Sequence, residues 1–351
     1  MGWSSIAAGL LRIRYANRRN GRARERGRDV IASFLEKARR RLFLRAFAEP
    51  MGIINECPKM GEALIAENRG RATIRTNDMT ENSEIGQEIM AAGIRTNYHD
   101  AGQGQPVLLI HGSGPGVSAW ANWRATIPDL AKQRRVVAPD MVGFGFTERP
   151  TDAVYGLDLW VAHVLGLLDA LNLDRVDVVG NSFGGALALT LAVRHPSRVR
   201  KLVLMGSVGV EFDLTAGLDM AWGYEPSVEA MRALLGVFAY DNSRITDDLV
   251  QMRYEASIRP GFQESFSKMF PAPRQQCIRS LAVSDDALQS LEHEVLIFHG
   301  REDRIIPMET SHKLFRNIPN AELHMFGKCG HWTQIERMNR FNDLVNDFLD
   351  A

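Results

Sequence analysis

The chain has 351 residues, 45% hydrophobic and 24% charged, with 42 Lys+Arg balanced by 42 Asp+Glu. Such a composition suits a globular protein of one large domain with an appendage, or of two domains. No run approaches the ~18 consecutive apolar residues of a membrane helix. Three scattered cysteines, Cys57, Cys277 and Cys329, argue against a disulfide framework or a cysteine zinc site and for a reducing, cytoplasmic setting.

The zero net charge is unevenly spread. Residues 1–78 hold 17 Lys+Arg against 8 Asp+Glu, and residues 79–351 hold 25 against 34. Arginine is dense at Arg18-Arg19, from Arg22 to Arg28 and at Arg39-Arg40-Arg41. Four readings compete for this basic N-terminal extension. It is an arm for nucleic acid or another anionic surface, since guanidinium groups follow phosphates. It is a transit peptide, which the acids within it disfavour. It is a disordered or loosely helical appendage. Or the start site is placed too early, because every later motif fits a domain beginning at Met79. The last is preferred, and neither a nucleic-acid nor a membrane partner is expected.

From Gln105 onward short apolar runs alternate with helical patterns. Val107-Leu108-Leu109-Ile110 ends at His111-Gly112, and Val136-Val137-Ala138 ends at Pro139-Asp140. Residues 176–179 end at Gly180, Leu202-Val203-Leu204-Met205 at Gly206, residues 295–298 at His299-Gly300, and residues 323–326 at Gly327. Runs apolar throughout belong to strands covered on both faces. Helical patterns over 157–171 and 185–195 lie between them. The alternation predicts an α/β architecture, a mostly parallel sheet flanked by helices, with residues 93–98 as an antiparallel edge strand. From 208 to 281 the alternation stops. That stretch carries Trp222, Tyr224, Phe238, Tyr240, Tyr254, Phe262, Phe266 and Phe270. It reads as a helical cap inserted into a core made of residues 79–207 and 282–351.

Gly180-Asn181-Ser182-Phe183-Gly184-Gly185 matches G-x-S-x-G between a strand and a helix, the context a nucleophile elbow requires. The turn is tight enough that side chains at its flanks would clash, and the helix start presents unpaired N–H groups to developing negative charge. The alternative is a glycine-rich turn with an idle serine. His111-Gly112-Ser113-Gly114-Pro115-Gly116 follows an earlier strand and can aim a second N–H at the same point. The backbone N–H groups of Ser113 and Phe183 are therefore assigned to an oxyanion hole. Ser182 needs a base. Of nine histidines, His331 follows a strand and Gly330 near the C-terminus, where the α/β-hydrolase fold places its base in the order Ser, Asp, His. His111 and His299 read as structural. Asp303 is the expected acid, holding the imidazole in its tautomer, with Asp140 and Glu302 as rivals. Cys329 reads as a small buried apolar residue rather than a redox-sensitive thiol. The elbow carries no aspartate, which argues against dehalogenase and epoxide-hydrolase chemistry. No clustered metal ligands appear, and neither a metal nor a cofactor is expected.

The strings HGSGPGVSAWANW, APDMVGFGFTERP, GNSFGGALAL, LVLMGSVGV, YEASIRPGFQESF, HGREDRIIP and GHWTQIE together resemble the meta-cleavage product hydrolases. The resemblance runs from about Ser83 to the C-terminus, and HGSGPG with Ser113 is more like the single-ring branch than the biphenyl branch. It implies hydrolysis of a carbon–carbon bond in a vinylogous diketone made by ring cleavage of a catechol, without a cofactor. It further implies that Arg253 binds the substrate carboxylate, that Asn122 and Asn181 contact the carboxylate and the 2-oxo or enol group, and that Trp332 flanks it. Plainer alternatives are a surface cation for Arg253 and core packing for Trp332. Family members are commonly homo-oligomers, and the expected partner is a small dienoate. The rival activities are a carboxylesterase or cofactor-free perhydrolase with the same triad, and a non-catalytic binding protein on this scaffold.

Overall fold

The apolar runs become strands of one sheet in the computed structural model, which describes residues 82–351. The basic extension at 1–78 and the start at Met79 lie outside the described residues. The strands are β1 (Gln87–Ala91), β2 (Ile94–Ala101), β3 (Pro106–Ile110), β4 (Arg135–Pro139), β5 (Val176–Asn181), β6 (Val199–Met205), β7 (Val295–Gly300) and β8 (Ala321–Phe326). Their order across the sheet is β1-β2-β4-β3-β5-β6-β7-β8. Every neighbouring pair from β4 to β8 is parallel, and β1–β2 and β2–β4 are antiparallel.

One expectation is corrected. The strand read at 93–98 is the longer β2, and it lies inside the sheet, bonded to β4 as well as to β1. The edge is β1, which was not anticipated. Its sequence, Gln-Glu-Ile-Met-Ala, has only a short apolar stretch after two polar residues, and Met90 stands 57% exposed. The connection is Ala92-Gly93, both at positive φ (50° and 78°), the two-residue hairpin geometry whose twist matches its strands.

Alternate strand residues feed two cores, because successive side chains point to opposite faces. Leu108, Ile110, Val178 and Leu204 are buried on the face covered by α3 (Leu157–Ala170) and α4 (Phe183–Arg194). Val107, Leu109, Val179 and Phe298 are buried on the other, against residues of α1 (Ala119–Trp123), α2 (Ile127–Leu130) and α13 (Met338–Asp350). Helix α4 begins two residues before the predicted 185, directly after the serine.

Between β6 and β7 the described chain forms helices and loops: α5 (Ala216–Trp222), α6 (Val228–Phe238), α7 (Asp247–Ser257), α8 (Phe262–Met269), α9 (Gln275–Ser280) and α10 (Asp285–Gln289). Side-chain caps start several of them. Thr215 accepts from the Leu218 N–H, Ser227 from Ala230 and Thr246 from Leu249, each satisfying a donor that the first turn leaves free. Helix α6 buries Met231, Leu234, Leu235 and Phe238, the i, i+3, i+4, i+7 stripe of an amphipathic helix. Helices α11 (Met308–Asn317) and α12 (Thr333–Glu336) follow β7 and β8. No helix among the described residues is long and apolar enough to cross a membrane.

Candidate active site

Ser182 sits between the last residue of β5 and the first of α4 at φ 55°, ψ −115°. A non-glycine residue rarely takes this conformation, and it persists only where surrounding contacts over-determine it. Those contacts are present. The Ser182 N–H donates to the Met205 carbonyl (2.9 Å), and its carbonyl accepts from Gly185 (3.0 Å) and Val208 (3.1 Å). The flanking glycines are required by space. A Cβ on Gly180 would stand 2.4 Å from the Gly184 carbonyl oxygen, and one on Gly184 would stand 2.3 Å from that of Ile110.

The predicted acid and base, Asp303 and His331, meet directly. His331 Nδ1 lies 2.7 Å from Asp303 Oδ2, and both side chains are buried. The other oxygen of Asp303 accepts from the N–H groups of Ile305 (2.8 Å) and Ile306 (3.0 Å). Burial alone would raise the Asp303 carboxyl. The facing His331 charge and hydrogen bond, with His299 and the Ile306 N–H, outweigh burial and hold it below its usual value. An ionised acceptor at Nδ1 puts the ring proton on that nitrogen and leaves the Nε2 lone pair free to accept a proton. The serine is two strands away, with β6 between. Its N–H is bonded to Met205, and the next residue, Gly206, packs against the pair: a Cβ there would lie 3.2 Å from both Asp303 Oδ2 and His331 Nδ1. Ser182, Gly206 and Asp303 thus follow the carboxyl ends of three adjacent strands, β5, β6 and β7.

The rival acids are engaged elsewhere. Asp140 accepts from the N–H groups of Ala119 (2.5 Å) and Phe146 (2.7 Å) and from Asn97 Nδ2 (2.8 Å), and burial pushes its carboxyl up to about 6. Glu302 accepts from the Cys329 N–H (3.0 Å) and from Arg301. His299 bonds Ser311 Oγ (2.7 Å) and the Ile306 carbonyl (3.1 Å), and burial lowers its pKa. His111 accepts from the Met141 N–H at Nε2 (3.0 Å), so its Nδ1 carries the proton and donates to the Gly112 carbonyl (2.8 Å). Burial pushes that imidazole down to about 4, and it stays a neutral brace. Cys329 is fully buried, and burial pushes its thiol up to about 12.

The loop after β3 is tied into a polar cluster. Asn122 Oδ1, on α1, accepts from the Gly112 N–H (3.0 Å) and from Asn181 Nδ2 (3.0 Å). These two donors fix both amide orientations. They leave Asn122 Nδ2 and Asn181 Oδ1 buried with no protein partner, one donor and one acceptor beside Ser182. Buried polar atoms are rarely left so without a reason. Ser113 is buried, and its Oγ accepts from Trp222 Nε1 (2.9 Å). Arg253, on α7, is half-buried and donates to the Pro115 carbonyl (3.2 Å). It makes no ion pair with a carboxylate among the described residues, and burial lowers its pKa. Trp332 stacks on Phe238 (5.2 Å, 13°), the packing alternative, while standing next to His331. Among the described residues no group of three His, Cys, Asp or Glu is placed to hold a metal ion.

Three contributors were not singled out from the sequence. Trp222 reaches Ser113 across 109 residues. The Phe238 carbonyl accepts from the His331 N–H (2.8 Å), with the two rings 5.4 Å apart. Gly206 leaves space for the acid–base pair. Gly206 carried a sequence signal as a glycine ending an apolar run, and Trp222 and Phe238 only as members of the aromatic set in 208–281, with nothing to mark their partners.

A family model described as the alpha/beta hydrolase fold matches residues 105–337. A 2-hydroxy-6-oxo-2,4-heptadienoate hydrolase from Pseudomonas putida is 61% identical over 270 residues, 77% of this chain and 98% of the relative. A 2-hydroxymuconate semialdehyde hydrolase from Pseudomonas sp. is 61% identical over 266 residues, 76% and 94%. The chain belongs to the meta-cleavage product hydrolases of the α/β-hydrolase fold. Among solved structures, the meta-cleavage product hydrolase CumD from Pseudomonas fluorescens superposes with a TM-score of 0.76 at 59% identity, covering 77% of this chain and 99% of that one.

Proposed function

We propose that the chain hydrolyses the carbon–carbon bond of a single-ring catechol cleavage product, 2-hydroxymuconate semialdehyde or its alkyl ketone analogue, in aromatic degradation. Ser182, His331 and Asp303 are the triad in this reading. The N–H groups of Ser113 and Phe183 form the oxyanion hole, and residues 208–281 cap the site. The observation that carries the substrate class is Arg253. A half-buried guanidinium with no carboxylate partner among the described residues is held against the Ser113–Gly116 loop by its bond to Pro115. A substrate carboxylate would complete it, gripped by paired N–H donors; a neutral ester would not.

The steps follow from these positions. A dienol substrate gives up its enol O–H proton, gains one on the carbon of the scissile bond α to the terminal carbonyl, and becomes the keto form, its 2-oxo oxygen facing the Asn122 and Asn181 amides. His331 Nε2 removes a proton from Ser182 Oγ, or from water, as oxygen adds to the terminal carbonyl. The new oxyanion accepts from Ser113 and Phe183. Its collapse breaks the carbon–carbon bond, the electron pair leaves as the dienolate and takes the proton from His331, and where Ser182 Oγ was the nucleophile a water then hydrolyses the serine ester. In sum one water is consumed. The products are formate, or a short carboxylic acid from a ketone, and 2-hydroxypenta-2,4-dienoate. A loss-of-absorbance assay with semialdehyde, methyl-ketone and phenyl-ketone ring-cleavage products tests this. Faster turnover of p-nitrophenyl acetate than of all three would instead favour a carboxylesterase. Ser182→Ala should abolish turnover of the preferred product.

A further inference from the structure

Trp222 ends α5 and is 2% exposed. Its indole N–H can only donate, so Ser113 Oγ must accept at 2.9 Å. That bond sets the Ser113 side chain and with it the peptide that carries the Ser113 N–H. The face of the same indole stacks on Phe270 at 4.4 Å and 5°. Phe270 in turn meets Phe183 edge to face, at 6.1 Å and 88°. Trp160 holds Phe183 from another side at 4.7 Å and 82°. One side chain of the β6–β7 insertion therefore reaches Ser113 through its N–H and, by way of Phe270, Phe183 through its ring.

We propose that Trp222 is a positioning residue that aligns the two halves of the oxyanion hole. The proposal rests on the assignment of that hole to Ser113 and Phe183 made above. Oxyanion donors act only when aimed at the tetrahedral oxygen, and removing one typically lowers turnover ~100–1,000-fold. A displacement of about 1 Å costs on the order of 100-fold. Losing the indole N–H leaves the Ser113 peptide present but unaligned, so the loss falls on the tetrahedral species and spares the substrate ground state.

Trp222→Phe in the full chain keeps an aromatic ring for the stack and deletes the donor. The expected result is a ~10–100-fold fall in kcat for the preferred ring-cleavage product, with KM within about threefold. A boronic acid that mimics the tetrahedral species should bind correspondingly more weakly. Substrate affinity, read in a Ser182→Ala background, should not change. Ser113→Ala removes the acceptor, so adding Trp222→Phe to it should lower kcat by less than about threefold further. Unchanged kcat in Trp222→Phe would overturn the proposal, as would KM and kcat changing together, or losses that multiply in the double variant. If Trp222→Phe does not fold, Ser113→Ala reports the same bond from the other side, and a normal kcat there also refutes it. Turnover of p-nitrophenyl acetate separates this from the substrate assignment. Both reactions use the oxyanion hole, so a fall in ester kcat supports the role of Trp222 even if no ring-cleavage product is cleaved.

Discussion

The division of labour among three acids is decided by hydrogen-bond partners. Asp303 has one oxygen on the Ile305 and Ile306 N–H groups and the other on His331, so it can neither rotate away nor protonate easily. Asp303→Asn would present an amide N–H to one of these donors and disturb the imidazole tautomer. Turnover should fall on the order of 10⁴-fold with the fold intact by circular dichroism, whereas Glu302→Gln should cost far less. Arg253 offers a second prediction at this scale. A charge-assisted bond is worth roughly 1.5–3 kcal/mol, so Arg253→Gln should raise KM for a carboxylate-bearing ring-cleavage product ~10–100-fold. Ester hydrolysis should stay within a few-fold, and an equal effect on both would show that Arg253 is no carboxylate clamp.

At the scale of elements, β3 to β7 were legible because buried parallel strands must be apolar on both faces, and Gly180, Gly206 and Gly300 marked their ends. The places of Ser182 and Asp303 were legible for the same reason: the ends of apolar runs are where the chain must turn, and both follow such ends. The hairpin partner β1 was not, since an edge strand with one wet face needs no apolar run. The bond from Trp222 to Ser113 was equally hidden, because nothing local in α5 records a partner 109 residues away. The amide orientations of Asn122 and Asn181 likewise depend on the Gly112 N–H, which only the folded loop supplies. Helix α7 and the loop after β3 approach closely. A Cβ on Gly116 would stand 2.6 Å from the Ser257 N, and Gly116 has φ +65°. Gly116→Ala should destabilise the fold by ~1–3 kcal/mol, visible as a lower Tm, and an unchanged Tm would mean that the two segments can part at little cost.

For the whole molecule, Asp140 gives stability an unusual pH dependence. Burial raises its carboxyl from 3.8 to about 6, so between those values the folded state binds more protons than the unfolded chain. Its stabilisation is fully present below about 4 and is lost as pH rises through about 6. Asp303, held below its ordinary value, acts in the opposite sense and loses its contribution as pH falls. Asp140→Asn cannot titrate. The advantage of wild type over this variant, read from urea midpoints, should therefore grow by ~2–3 kcal/mol between pH 7 and pH 4. A gap that does not vary with pH would show that the fold leaves the Asp140 carboxyl unshifted.

The contact of Gly116 with α7 reaches beyond stability. Together with the bonds from Trp222 to Ser113 and from Arg253 to Pro115, it makes the short loop after β3 and the helices far along the chain one unit of exchange. A chimera that borrows residues 208–281 from a distant relative inherits a roof shaped for another floor. Recombination within the family should succeed only where residues 111–117 travel with the transplanted helices.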